Sequence, residues 1–445
     1  MKAELRFFKV FPSVVKAGEK SEITIEPGHK FYTFQDAEYT IRIVAKEKRD
    51  IPRNAEYTIN NNKFPEIKVK PQNGKIIFSY EFKDEQEYKI IVFTSKNVRT
   101  HVFSIYALEE DLYDTMPFRG DLHIHSDHSD GIGSLCEVMS AYRENGYDFI
   151  CITDHHKYYP SVKAKEMFEN VDTGLTIFPG EEVHNCDMGY FHIINFNGKY
   201  SVNEVIESDY ENLKKKLCKA AKEISVPESI DPYEFVFRKW ICDEIRKSGG
   251  KAIFPHPYWT IYDEYHVETH MSFYTLKSGI YDIFEVLGGC TVNENQLQVS
   301  MYNELRAEGV DLPIVGSTDA HDFVKGERSY FDCHSTLVFA KDRDGIVDAV
   351  MNKNAVAVQT ICGETPRVYG KFRLVKYAIF LMENFYPVYK GYTSDIGSLM
   401  RAYKEYGDCK ESLERVNSKA QEFKNRYFGR KAAGVSGNTP TYQEK

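Results

Sequence analysis

The sequence predicts an α/β protein: a barrel of alternating strands and helices, preceded by an antiparallel β-sandwich and followed by amphipathic helices. Three observations carry this reading. Residues 1–112 consist of short apolar or alternating runs cut by turn residues. From Phe118 to about Val368 strand and helix signals alternate, with polar residues where strands end. Over 371–428 apolar residues recur at helical spacing.

In the first region the expected strands are Ser21–Ile25, Tyr39–Val44, Ile76–Phe82, Tyr88–Phe93 and Val102–Leu108, divided by turns such as Pro27-Gly28 and Asn73-Gly74. An acidic linker, Glu109–Asp114, leads out of it. In the second region Ser134 and Glu137 form a capping box, and Leu135, Val138, Met139 and Tyr142 follow at helical spacing up to Gly146. The run Phe149–Thr153 reads as a buried strand ending at Asp154-His155. The same grammar returns with a helix over Asn303–Gly309 and a strand over Leu312–Val315. The Lys/Glu-rich stretch 201–248 reads as a helical insertion. The expected domains are therefore 1–112, 117–368, a helical segment 369–429 marked by Leu374, Tyr377, Ala378, Leu381, Leu399 and Tyr403, and a flexible polar tail, 430–445.

The totals bound the function. A chain of 445 residues, 42% hydrophobic and 14% aromatic, builds more than one core. A net charge of -9 argues against broad, non-specific binding to nucleic acid, which needs a basic face, and leaves room for a small local positive site. Met1–Arg6 lacks a signal-peptide core, and no apolar run spans a bilayer. Nine scattered cysteines without a C-x-x-C read as reduced thiols. A cytoplasmic enzyme with no membrane partner is expected, its oligomeric state open.

The chemistry concentrates in histidine. Eleven of the 14 histidines fall between His123 and His321. Asp121-Leu122-His123-Ile124-His125 places two imidazoles at i and i+2, which share one face of an extended chain. Asp319-Ala320-His321 repeats that spacing after Leu312–Val315. Every candidate donor is nitrogen or oxygen, which suits Zn, Mn or Fe rather than a sulfur-bound structural zinc. By contrast, His266-Val267-Glu268-Thr269-His270 lacks the H-E-x-x-H order, and no P-C-x-x-C follows its His-x-Glu, so it reads as incidental.

Taken in order, Asp121–His125 with Ser129-Asp130-Gly131, Ile152-Thr153-Asp154-His155, Gly180-Glu181-Glu182, Pro255-His256-Pro257 and Asp319-Ala320-His321 resemble the motifs of the PHP (polymerase and histidinol phosphatase) family. Arg119–His123 behind a β-rich domain further resembles its CehA/McbA-type branch. The resemblance implies a distorted (β/α)7 barrel holding two or three divalent ions, Zn, Mn or Fe. It implies His123, His125, Glu182 and Asp319 on one ion, and Glu182 bridging to a second completed by His256 and His192, with His184 competing for the His192 place. It puts Asp130, His155 and His321 on a third.

Glu182 and Asp319 would fix the ions for catalysis. Asp154 would touch them, orient His155 or His125, or merely cap a helix. His128, His156, Lys157 and Arg328 are candidates for gripping substrate, with a solvated loop as the alternative for each. Tyr258, Trp259, Tyr262 and Tyr265 would wall an aromatic pocket or simply pack. Two ions about 3.5–4 Å apart lower the pKa of a shared water and stabilise entering and leaving oxygens. Their positive charge attracts a small anion, so a phosphate monoester or diester is the expected substrate. The rivals are a carboxyl ester, amide or carbamate hydrolase on the same ions, a catalytically weak metal-stabilised binding protein, and a nuclease, which the acidic charge disfavours.

Overall fold

The computed structural model describes residues 3–29, 31–47, 64–185, 189–324, 329–361, 364–407 and 409–430. Arg328 and the tail from 431 onward lie outside the described residues. The chain divides into two compact units. One comprises Met1–Asp114, Glu383–Tyr389 and Ser418–Lys445, and the other Thr115–Met382 and Lys390–Asn417. The C-terminal helices are thus shared between the units, where sequence periodicity suggests a segment of their own.

In the first unit Phe8–Phe11, Lys20–Pro27 and Ile76–Glu81 make an antiparallel three-stranded sheet. Val14–Lys16, Arg99–Leu108, Gln86–Thr94, Tyr39–Ala45 and Glu66–Val69 make a five-stranded one. Alternation sets the inner faces: Ile23 and Ile25 from one sheet, and Ile41, Ile43, Ile90, Val92 and Ile105 from the other, share one apolar cluster. The expected sandwich strands all form. The pair Val14–Lys16 with Arg99–Leu108 is parallel, an exception to the antiparallel pattern.

The second unit is mixed α/β. Met116–Asp121, Phe149–Cys151 and Thr176–Phe178 run parallel, separated by the helices Leu135–Glu144 and Tyr159–Met167. On its other edge Met116–Asp121 is extended antiparallel by His334–Ala340 and then by Ala355–Gln359 and Arg367–Tyr369. A second sheet holds Gly180–Asn185, Gly189–Phe196 and Lys251–Phe254 in antiparallel order. It continues parallel into Ile283–Leu287 and Ile314–Gly316. Isolated parallel bridges join the two sheets at Ile124 with Ala320 and at His155 with Glu182. Phe149, Phe196, Ile253, Ile283, Val315 and Val338, from both sheets, form one apolar cluster. The ladders are therefore mixed where a regular barrel is all-parallel.

The strand that delivers the H-x-H pair is Met116–Asp121. The stretch 201–248 forms three helices, Val202–Ser208, Tyr210–Glu223 and Pro232–Lys247. The last is more than an insertion: Phe237, Ile241 and Ile245 share a core with Ala252, Phe254, Phe284 and Val286 of the second sheet. The expected capping box of Leu135–Glu144 forms: the Ser134 hydroxyl accepts from Glu137 N and the Glu137 carboxylate accepts from Ser134 N. In the helix Tyr386–Tyr406 the buried face carries Ile396 and Met400, a shift from the expected Leu399 and Tyr403.

Candidate metal centre

The site lies where motif segments leave their strands. Just past Met116–Asp121, Leu122 and Ile124 are buried in the apolar interior, so alternation turns His123 and His125 to the opposite side. That segment is pinned laterally: His125 N donates to Ala320 O at 3.0 Å and Thr153 N to Ile124 O at 2.8 Å. Glu182 N donates to Thr153 O at 3.1 Å. These bonds align the H-x-H, Asp-His, Glu-Glu and Asp-Ala-His motifs side by side. His256 and Asp319 have positive φ, 23° and 50°, a rare conformation for non-glycine residues and common where side chains are aimed at a site. Gly289 permits the Asp319 turn, because a Cβ there would overlap Asp319 Cβ.

Glu182 is the hub. Its Oε2 is 3.3 Å from His123 Nε2, 3.4 Å from His125 Nε2 and 3.0 Å from His155 Nδ1. Its Oε1 is 2.9 Å from His192 Nδ1 and 3.5 Å from His256 Nε2. Asp319 Oδ1 is 3.2 Å from His123 Nε2 and 3.0 Å from His125 Nε2. Asp130 Oδ2 is 3.3 Å from His321 Nε2 and 3.7 Å from His155 Nε2. All nine sequence-derived ligand candidates therefore converge. The pole of Asp130 and His321 is open, with side chains 57% and 40% exposed, whereas the Glu182 side chain is 1% exposed.

The donor set fits divalent cations. Both Glu182 oxygens, His123 Nε2, His125 Nε2 and both His192 nitrogens are buried without a hydrogen-bond partner. Burying such atoms unmatched is costly, and an ion would satisfy them together. Groups of donor atoms within 4.8 Å of one another comprise His123, His125 and Asp319; His123, Glu182 and His256; and His125, Asp130, His155 and His321.

The electrostatics divide the imidazoles into two sets. Burial opposes charge on His123 and His321, but the facing carboxylates outweigh it, raising His123 well above its usual range and His321 to about 9. Burial also opposes charge on Glu182 and Asp319, yet the surrounding histidines hold both well below the ordinary carboxylate range. His184 and His192 face other imidazoles. Burial and those neighbours push His184 down to about 3, and burial, over the pull of Glu182, pushes His192 to about 4. Both are neutral lone-pair donors near pH 7.

His184 and His192 do not exclude each other. They are directly opposed in the antiparallel pair Gly180–Asn185 and Gly189–Phe196, and so point to the same face. His192 meets Glu182, while His184 Nδ1 lies 3.2 Å from His155 Nδ1. Asp154 sits one bond further out. It accepts from Ser126 N at 2.8 Å, Ser126 Oγ at 2.6 Å and Ser129 Oγ at 2.5 Å, and Ser129 Oγ is 3.5 Å from His125 Nδ1. From just past the strand Phe149–Cys151 it thereby fastens the loop that carries Asp130.

The Lys157 ammonium is engaged by the His128 carbonyl, and His128 Nδ1 lies 3.0 Å from Asp127. His156 stacks on His184 at 4.8 Å. Trp259 comes within 5.4 Å of the His256 ring and 5.8 Å of the His192 ring. Tyr258 is buried and packs on Tyr265, while Tyr262 is exposed.

Two buried carboxylates were not singled out by sequence. Glu285 Oε2 lies 3.1 Å from His123 Nδ1, and Oε1 accepts from His256 N at 3.3 Å. Its signal was a lone acid inside the apolar strand Ile283–Leu287. Asp121, seen only as part of the motif, accepts from His123 N, Thr318 N, Thr318 Oγ1 and Tyr142 OH, tying the two ends of the site together. Complete burial pushes its pKa up to about 7 despite these donors.

Residues 121–219 match the family model of the PHP domain. This segment resembles a PHP domain. The match takes in the H-x-H, Asp-His and Glu-Glu motifs and His192, and the geometry adds His256, Asp319 and His321 to them. A stretch of 130 residues, 29% of this chain, is 32% identical to DNA polymerase/3'-5' exonuclease PolX of Bacillus subtilis (strain 168). The chain spans 21% of that relative's length. A two-domain protein of Bacteroides vulgatus, containing a predicted PHP-like metal-dependent phosphoesterase, is similar at 18% identity and a TM-score of 0.38. That likeness covers 55% of this chain and 65% of the other. A Bifidobacterium adolescentis protein with a provisional metal-dependent phosphoesterase assignment is similar at 16% identity and a TM-score of 0.34, over 48% of this chain and 92% of the other.

Proposed function

We propose that this chain is a metal-dependent hydrolase of phosphate esters. The observation that carries it is Glu182: a buried carboxylate, unmatched by hydrogen bonds, with three histidines at one oxygen and two at the other. That is what a carboxylate bridging two cations requires. In this reading His123, His125, Glu182 and Asp319 hold one ion, Glu182, His192 and His256 a second, and Asp130, His155 and His321 a third. The same reading takes the two mixed sheets as the walls of a distorted (β/α)7 barrel over 117–368. Ions held there would supply Lewis acidity and lower the pKa of a water at the site. Glu285 holds the His123 ring so that Nε2 faces the ions. Asp154 and Ser129 hold the exposed Asp130 loop, where a small anionic substrate enters.

A carboxyl ester, amide or carbamate substrate is the second reading, in line with the CehA/McbA-type likeness. It is favoured by the Trp259 ring beside His192 and His256, and by Lys157 being held on a carbonyl rather than turned to the site. Turnover of an aryl phosphomonoester, an aryl phosphodiester and an aryl carboxyl ester, each with added Mn or Zn, separates the two. Phosphate ester cleavage that disappears in Asp319→Ala supports the first; cleavage of the carboxyl ester alone supports the second.

A further inference from the structure

The sequence reading sets His266 aside, yet the fold brings it to the centre. The chain turns back after His256 in a tight hairpin, Thr260–Ile261 against Glu264–Tyr265, with Tyr262 and Asp263 both at positive φ. His266 N donates to Trp259 O at 2.8 Å, and Val267 N to Pro257 O at 3.0 Å, with Val267 buried. Glu294, at the start of the helix Val292–Ala307, fastens the hairpin by accepting from Thr260 N and Oγ1 at 3.1 and 2.5 Å. His266 is therefore fixed beside the metal centre. Its ring centroid is 4.6 Å from that of His192 and 5.3 Å from that of His256, and one nitrogen from each of the three lies within 4.8 Å of the others.

We propose that His266 Nδ1 is a further donor to the ion that His192 and His256 would hold. This rests on the metal reading above. Nε2 lies 2.9 Å from the Tyr190 carbonyl, which can only accept, so Nε2 carries the proton and Nδ1 presents its lone pair. A ligating histidine commonly donates its other N–H to a backbone carbonyl in this way. Nδ1 is sealed from solvent and has no hydrogen-bond partner, as are both nitrogens of His192 and Nδ1 of His256. With His266 the ion would have three imidazole donors from one cluster.

The test is metal affinity rather than turnover. Full-length wild type, His266→Ala, His266→Gln and His270→Ala are titrated with Zn and with Mn against a chromophoric chelator, and their metal content is measured after dialysis. His270 is the control, an exposed neighbour. The expected result is wild-type binding in His270→Ala and a loss of at least roughly tenfold in affinity for one ion, the others retained, in His266→Ala. His266→Gln, which keeps the volume and the bond to Tyr190, gives the same reading if the alanine variant does not fold. Wild-type affinity for every ion in a folded His266 variant overturns the proposal. A wild type that binds no ion overturns the metal reading, and this proposal with it.

Discussion

Glu285 Oε2 stands 3.1 Å from His123 Nδ1, inside the strand Ile283–Leu287 and fully buried. A carboxylate there fixes which nitrogen of His123 carries a proton and leaves Nε2 for Glu182 and Asp319 to share with an ion. Glu285→Gln keeps the shape but weakens that polarisation. Metal affinity should fall about 10–100-fold, or about 1.4–2.8 kcal/mol, by chelator competition. Unchanged affinity in the folded variant counts against the orienting role.

The contrast between Glu285 and Asp319 shows how much of the site was legible in the sequence. Asp319, His123, His125 and His155 sit at strand ends within short motifs, where local spacing alone sets the side-chain direction. Glu285 has no motif; its partner is 162 residues away, and only strand order brings them together. His184 and His192 looked like alternatives because sequence does not show that they are cross-strand partners. His266 was hidden by a hairpin that folds it back on His256. In the fold, the sandwich strands and the capped helix Leu135–Glu144 were readable from alternation and its capping box, whereas the Thr291–Glu294 cap that starts Val292–Ala307 was not. The antiparallel strands that make the second unit's sheets mixed were not, since pairing direction leaves no local trace.

Gly289→Ala should disturb Asp319 directly, because its Cβ would meet Asp319 Cβ and the Thr318 carbonyl. The expected cost is about 1–3 kcal/mol of stability, with reduced metal content. Gly391→Ala, in open space on the helix Tyr386–Tyr406, is the matched control and should be neutral or slightly stabilising by up to about 1 kcal/mol. Thermal melts and metal analysis of the two variants check this; equal behaviour contradicts it.

The metal-free protein should have a characteristic pH response. His321 is raised to about 9 by Asp130 and Asp319 against the opposing effect of burial. A raised histidine stabilises fully below its unfolded value near 6.5 and loses that contribution as pH rises through the folded value. Between pH 6.5 and 9 the metal-free form should therefore lose melting temperature, and His321→Ala should flatten the slope. With ions bound, acidification should instead release metal, because protons compete for the same nitrogens. A metal-free melting curve that is level or rising over this window contradicts the assignment.

Asp154→Ala removes the acceptor of three hydrogen bonds from Ser126 and Ser129. The Asp130 loop should loosen, costing roughly 1.5–3 kcal/mol for a bond to a buried charge. Hydrogen exchange should report it as faster exchange confined to the loop around Asp130. Protection equal to wild type there would place Asp154 in another role.

The central claim, that Glu182 bridges cations used for hydrolysis, is tested most directly by metal content and aryl phosphomonoester turnover measured together on wild type and Glu182→Gln. The expected result is more than one divalent ion per wild-type chain, turnover abolished by chelation and restored by Mn or Zn, and loss of both bound metal and turnover in the variant. A wild type that takes up no ion at saturating Mn or Zn, or a variant that keeps full metal and full activity, contradicts it.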